Sequence, residues 1–158
     1  MQAFSRKSCI FVAKLSVFMD RNYQNIIDKG YGLVKVSRND DPRGSLCFAE
    51  WTDLPFRPQR IFWIFDVKPD RARGQHAHSA CEEVVFAVNG AFDMFVDNGK
   101  EQATIHIGNP AVGIYIGKNV WCELRNFQPG TICMVVASVK YMRDGYINDY
   151  EDFKKTCS

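Results

Sequence analysis

The stretch RGQHAHSACEE, residues 73 to 83, holds two of the three histidines of the chain, one residue apart, with Arg73 ahead of them and Glu82 and Glu83 behind. In an extended strand, residues two apart project from the same face, so His76 and His78 look into one volume while Ala77 points to the other side. Three chemistries fit that placement. Imidazole, carboxylate and thiolate all bind transition metals, so His76, His78 and Glu83, with Cys122 as a further candidate, form a conceivable ligand set. Without a metal, two groups that exchange protons near neutral pH form a general acid and base. The third reading is a pair of structural histidines. Glu82 competes with Glu83 for the carboxylate position, because an irregular Ser79-Ala80-Cys81 can turn either side chain toward the histidines. His106, in ATIHIG (103–108), stands apart and reads as structural or surface.

Short β-type runs separated by turn residues must carry these groups. From Gly30 onward they include YGLVKV (31–36), SLCFAEW (45–51), RIFWIFDV (60–67), EEVVFAV (82–88), AFDMFVD (91–97), ATIHIG (103–108), VGIYIG (112–117) and TICMVVASV (131–139). Their wealth of Val, Ile, Phe and Tyr suits half-buried strands. A turn signal about every ten residues predicts an antiparallel sandwich or barrel. The DNG of 97–99 predicts a hairpin, because Asn and Gly accept the positive φ of tight turns. In the tail, Tyr146, Tyr150 and Phe153 are spaced as one helical stripe, which predicts a C-terminal helix packed on the barrel. The expected organisation is an N-terminal extension (1–28), a barrel (29–140) and a helical tail (141–158).

Bulk properties narrow the function classes. The 158 residues suit one domain, and 46% hydrophobic with 24% charged residues is the composition of an ordered globular chain. Twenty Lys and Arg against eighteen Asp and Glu leave +2 with no basic block, so neither nucleic acid nor membrane is an expected partner. The apolar segment CIFVAKLSVFM (9–19) is interrupted by Lys14, is too short to span a bilayer, and lacks an A-x-A-like cleavage site. Met19 offers an alternative start. Six cysteines without a CxxC pair fit a reducing cytoplasm.

The spacing of His76, His78, Glu83 and Gly90, followed by Asn126, resembles the two motifs of cupin barrels. Two positions depart from the pattern: Cys122 stands where the second motif has its histidine, and Asp70 where the first has a glycine. Beyond these motifs, RGSL (43–46), PFRPQRIFWIFDVKPDRARGQHAH (55–78), VNGAFDMFVDNG (88–99), PAVGIYIGKNVWCEL (110–124), MVVAS (134–138) and GYINDYEDFKK (145–155) resemble the nucleotide-sugar 3,4-ketoisomerases, over nearly everything from Gly30 to Lys155.

That resemblance implies an all-β, cupin-type antiparallel barrel (jelly roll) with a short C-terminal helix, a homodimer, and a cytoplasmic enzyme of deoxy-sugar biosynthesis. Its implied substrate is a dTDP-linked 4-oxo-6-deoxyhexose, whose ketone moves from C4 to C3 without metal or other cofactor. His78 is then expected as base and His76 as its proton-shuttling partner. Arg43, Arg60 and Arg73 are expected on the diphosphate, since a guanidinium suits bidentate phosphate contacts. Trp63 and Trp121 are expected to line the sugar pocket. Phe62 and Trp63 replace a usually Tyr-rich pair, which removes a phenol from the pocket. Cys122 removes a third imidazole, which weakens the metal reading. The alternatives are a related 4-oxo-sugar epimerase, a metal-dependent cupin enzyme and a non-catalytic sugar-nucleotide binding module.

Overall fold

A computed structural model describes residues 23–157. The apolar segment 9–19, Cys9 and Met19 lie outside the described residues. Of the N-terminal extension, residues 23–28 are described, within a helix over 23–29 (α1).

Among the described residues twelve strands follow: β1 (Tyr31–Lys35), β2 (Ser37–Asp41), β3 (Gly44–Phe48), β4 (Arg60–Ile64), β5 (Arg73–His78), β6 (Glu83–Asn89), β7 (Phe92–Asp97), β8 (Gln102–Ile107), β9 (Val112–Ile116), β10 (Trp121–Arg125), β11 (Ile132–Ala137) and β12 (Tyr146–Ile147), before a final helix α2 (Tyr150–Thr156). They form two five-stranded antiparallel sheets, β1-β9-β6-β11-β4 and β12-β5-β10-β7-β8, which enclose one core as a cupin-type jelly roll. β2 and β3 pair only with each other.

Alternation assigns each side chain its layer. Val85, Phe92, Met94, Val96, Ile114, Leu124, Cys133 and Val135 fill the space between the sheets. On the outer face of the first sheet, Val84, Phe86, Tyr115 and Val136 are covered by Tyr23 and Ile26 of α1 and by Leu54 and Phe56. That second cover explains why β6 is buried on both faces and reads as a continuous apolar run. On the outer face of the second sheet, Ala77 and Trp121 are covered by Phe153 of α2.

The DNG signal does mark a hairpin, but its loop is four residues: Asp97 pairs with Gln102, and Asn98 Oδ1 accepts from the N–H groups of Lys100 and Glu101. Gly90 is required where it stands. Its φ is +69°, and a Cβ there would collide with Thr131. Asn126 also sits at positive φ and donates to Asp93. Both motif residues therefore serve turns rather than the cavity.

The tail differs from the single stripe suggested by its periodicity. Tyr146 belongs to β12, paired with His78 of β5, and the helix begins only at Tyr150, after Asp149 caps it by accepting from the Asp152 N–H. Sheet pairing overrides the 3.6-residue spacing over the first part. None of the described helices is long and apolar enough to cross a membrane.

Candidate active site

A cavity of ≈ 450 Å³ lies between the two sheets, lined by β4 at the edge of the first and by β5, next to the short edge strand β12, in the second. β5 supplies most of its polar wall. At Gln75 the strand bulges: Cys122 faces His76, but the next residue, Glu123, faces Gly74, so one residue of β5 is left over. Gly74 and Gln75 both take positive φ, +76° and +60°, and a Cβ on Gly74 would lie 3.0 Å from the Cys122 carbonyl. The bulge brings Arg73, Gln75, His76 and His78 to the same cavity, which simple alternation would not do.

His76 and His78 face each other with their Nε2 atoms 3.1 Å apart. That contact requires one nitrogen to donate and the other to accept. Burial first, and the neighbouring His78 second, hold the His76 pKa below the ordinary histidine value, while Glu83 partly offsets them. Two imidazolium ions at this distance would repel strongly, which disfavours simultaneous protonation of both rings.

Glu83 reaches the pair from the opposite sheet. Its Oε1 is 3.4 Å from His78 Nε2 and 3.6 Å from Arg60 Nη2, and both His78 and Glu83 are buried. The competition with Glu82 is thereby resolved: the Glu82 carboxylate accepts from the Tyr115 hydroxyl at 2.7 Å and does not line the cavity. One ligand atom from each of His76, His78 and Glu83 lies within 4.8 Å of the others, a donor set able to hold a divalent cation. Cys122 lines the cavity without joining that trio. Burial, with Glu83 adding to it, pushes its thiol pKa far up, so it stays a neutral thiol.

Sequence reasoning missed Tyr146. Cross-strand pairing sets it beside His78, with its ring 4.5 Å from the His78 ring and 5.0 Å from the His76 ring. Burial raises its pKa and the adjacent Arg60 partly opposes that, so the phenol is protonated at neutral pH. A phenol thus reaches the cavity although Phe62 and Trp63 bring none. The YINDY tail motif carries the signal, but its helical spacing conceals it.

The remaining expected residues separate. Arg73 and Trp63 line the cavity. Arg60 sits behind His78 against Glu83, and its Nε is buried without a hydrogen-bond partner, so it faces a carboxylate rather than an open anion site. Arg43 projects from the β2–β3 hairpin, 90% exposed and paired with Asp41, away from this cavity. Trp121 turns the other way from Cys122, as strand alternation requires, packs against Tyr150 and Phe153, and donates from Nε1 to Glu123. His106 is on the surface, bonded to Asp93 at 2.8 Å.

Residues 29–158 match the family model described as "FdtA: WxcM-like, C-terminal". The chain is 35% identical over 134 residues to a TDP-4-oxo-6-deoxy-alpha-D-glucose-3,4-oxoisomerase of Aneurinibacillus thermoaerophilus, an alignment covering 85% of this chain and 88% of that one. A solved 3,4-ketoisomerase from Helicobacter canadensis is 37% identical, covers 80% of this chain and 96% of its own, and superposes with a TM-score of 0.77. A ketoisomerase from Thermoanaerobacterium thermosaccharolyticum, solved as a histidine-to-asparagine mutant in complex with TDP-4-keto-6-deoxyglucose, is 30% identical with a TM-score of 0.79, covering 81% of this chain and 94% of its own.

Proposed function

The chain belongs to the nucleotide-sugar 3,4-ketoisomerases, and from that premise we propose that it moves the keto group of a dTDP-linked 4-oxo-6-deoxyhexose from C4 to C3 in deoxy-sugar biosynthesis. The observation that carries this reading is the His76–His78 pair, 3.1 Å apart in the cavity, with Glu83 behind it. His78 removes the C3 proton beside the carbonyl. An enediol-type intermediate forms, the proton of the C3 hydroxyl passes to the C4 oxygen, and a proton returns to C4. No electron leaves the sugar, so no external oxidant or reductant is needed. His76 accepts or returns the proton that His78 carries. Glu83 favours the imidazolium that forms in between, as an adjacent opposite charge does. Such acid–base assistance is worth roughly 10²- to 10⁴-fold in rate.

Arg73 and Trp63 line the cavity, which supports Arg73 as the arginine that holds the diphosphate. Holding the remote diphosphate would fix the sugar over the histidines. Arg43 reaches a cavity only if a second copy supplies it. A homodimer is supported by the open edge of β4, by the exposed Ile61, Trp63 and Phe65 along and just beyond it, and by the exposed Leu46 and Phe48 of the β2–β3 hairpin. The proposed setting is the cytoplasm.

Incubation with dTDP-4-oxo-6-deoxyglucose in D₂O, followed by NMR of the product, tests the activity. A 3-oxo product carrying deuterium at C4 supports the reading, and substrate recovered without exchange at C3 refutes it. One observation favours a second reading, a metal-dependent enzyme: the ligand atoms of His76, His78 and Glu83 converge within 4.8 Å. Elemental analysis of the active protein decides between them, since stoichiometric iron, manganese or zinc would replace the metal-free mechanism.

A further inference from the structure

β12 is two residues long, yet it holds Tyr146 against both imidazoles. Two paired residues at a sheet edge cannot keep themselves in place, because strands of stable sheets generally run to about five residues. On its upstream side the Ser79 N–H donates to the Gly145 carbonyl at 3.0 Å, and its downstream side needs an anchor of its own. Only Asn148 and Asp149 separate it from α2, which is anchored by the fully buried Phe153 and by a cluster of polar contacts at one point. That point is Asp97, at the end of β7, a carboxylate 1% exposed to solvent. Its Oδ2 accepts from the Tyr150 hydroxyl at 2.5 Å and the Gln102 amide at 3.0 Å, and faces the Lys154 ammonium at 3.4 Å. Its Oδ1 accepts from the Gly99 N–H at 2.7 Å. Two of these partners, Tyr150 and Lys154, belong to α2; the other two belong to the β7–β8 hairpin and its far strand.

We propose that Asp97 is a positioning residue for the ketoisomerase: by fastening α2 through Tyr150 and Lys154, it holds β12 in register with β5 and keeps Tyr146 packed on the His76–His78 pair. The assignment rests on the function proposed above, while the contacts it depends on do not. The same fastening packs Phe153 and Tyr150 over Trp121 and Ala77, the residue between the two histidines. The catalytic strand is therefore backed by α2 and edged by β12, and Asp97 is the carboxylate that ties α2 to the β7–β8 hairpin.

The test is a double-mutant cycle between the latch and the phenol. Asp97→Asn and the milder Tyr150→Phe are each expected to lower kcat by roughly tenfold with KM changed by less than about twofold, and in a Tyr146→Phe background each should lower kcat by less than about twofold. Equal fold losses in both backgrounds would overturn the proposal, as would a Tyr146→Phe enzyme with undiminished kcat. Proton NMR of the imidazole signals supplies a readout independent of turnover. Tyr150→Phe should move the His76 and His78 signals in the direction that Tyr146→Phe moves them and leave His106 in place. Unmoved His76 and His78 signals would overturn the latch even in an active enzyme, and moved signals would support it even if the protein turned over no oxo-sugar.

Discussion

Glu83 and Asp97 are both buried carboxylates, and they are solvated in opposite ways. Asp97 is surrounded by four donors, three of them at 2.5 to 3.0 Å. Burial alone would raise its pKa, but hydrogen bonds from Tyr150, Gln102 and Gly99, with Lys154, bring it below the usual aspartate value. Glu83 meets His78 at 3.4 Å and Arg60 at 3.6 Å, both longer than ordinary hydrogen bonds. A carboxylate whose lone pairs are filled is a fixed part of the frame. One held at longer range beside two imidazoles can respond when a proton moves between them. The difference in coordination, rather than in burial, separates the structural acid from the one expected to take part in chemistry.

Substitutions can break this contrast. His78→Asn is expected to have the largest effect, lowering kcat by roughly 10²- to 10⁴-fold while dTDP affinity, measured by calorimetry, changes by less than about threefold. Glu83→Gln should lower kcat by about 10- to 100-fold, because the imidazolium loses its countercharge within a low-dielectric site. Steady-state kinetics would show the loss in kcat rather than in KM. Asp97→Asn should reverse the emphasis: about 1–3 kcal/mol of stability is lost in urea unfolding, as for a disrupted buried hydrogen-bonded charge, with a smaller loss of activity than at Glu83. If Asp97→Asn proved more damaging to kcat than Glu83→Gln, the assignment of roles would be inverted.

Titration sharpens the same contrast. Because the His76 pKa is lowered, the acid limb of kcat/KM for the free enzyme should fall below pH ~6.5, the ordinary histidine value. Asp97 acts on stability instead. Its folded pKa lies below its unfolded one, so its contribution is fully present above about pH 4 and is lost as pH falls through the folded value. An acid-unfolding curve of Asp97→Asn should show that component missing. His106→Ala should have the smallest effect, within about 0.5 kcal/mol of wild-type stability, as expected for an exposed side chain.

Much of the fold and the histidine pair are legible in the sequence, whereas the contrast between the two carboxylates is not, and the unreadable part has definite physical causes. The apolar runs that form β1, β4, β6, β7, β8, β9 and β11 declare themselves by composition. β2, Ser-Arg-Asn-Asp-Asp, does not, because all five of its residues are exposed and nothing selects an alternating pattern. His76 and His78 are legible because strand periodicity alone brings them to one face. The choice between Glu82 and Glu83 is not, since it depends on where β6 begins. Trp121 is misplaced toward the cavity by family motifs, which record position and not facing. The role of Asp97 is hidden for a further reason: its partners are 2, 5, 53 and 57 residues away, and no local pattern records the last two.

The bulge at Gly74–Gln75 divides β5 into two lengths of chain whose registers against β10 are set separately. Arg73 belongs to the length before it, His76 and His78 to the length after. Evolution, or an engineer, can therefore retune the placement of Arg73 without rotating the two imidazoles, a modularity that a perfectly regular strand would forbid.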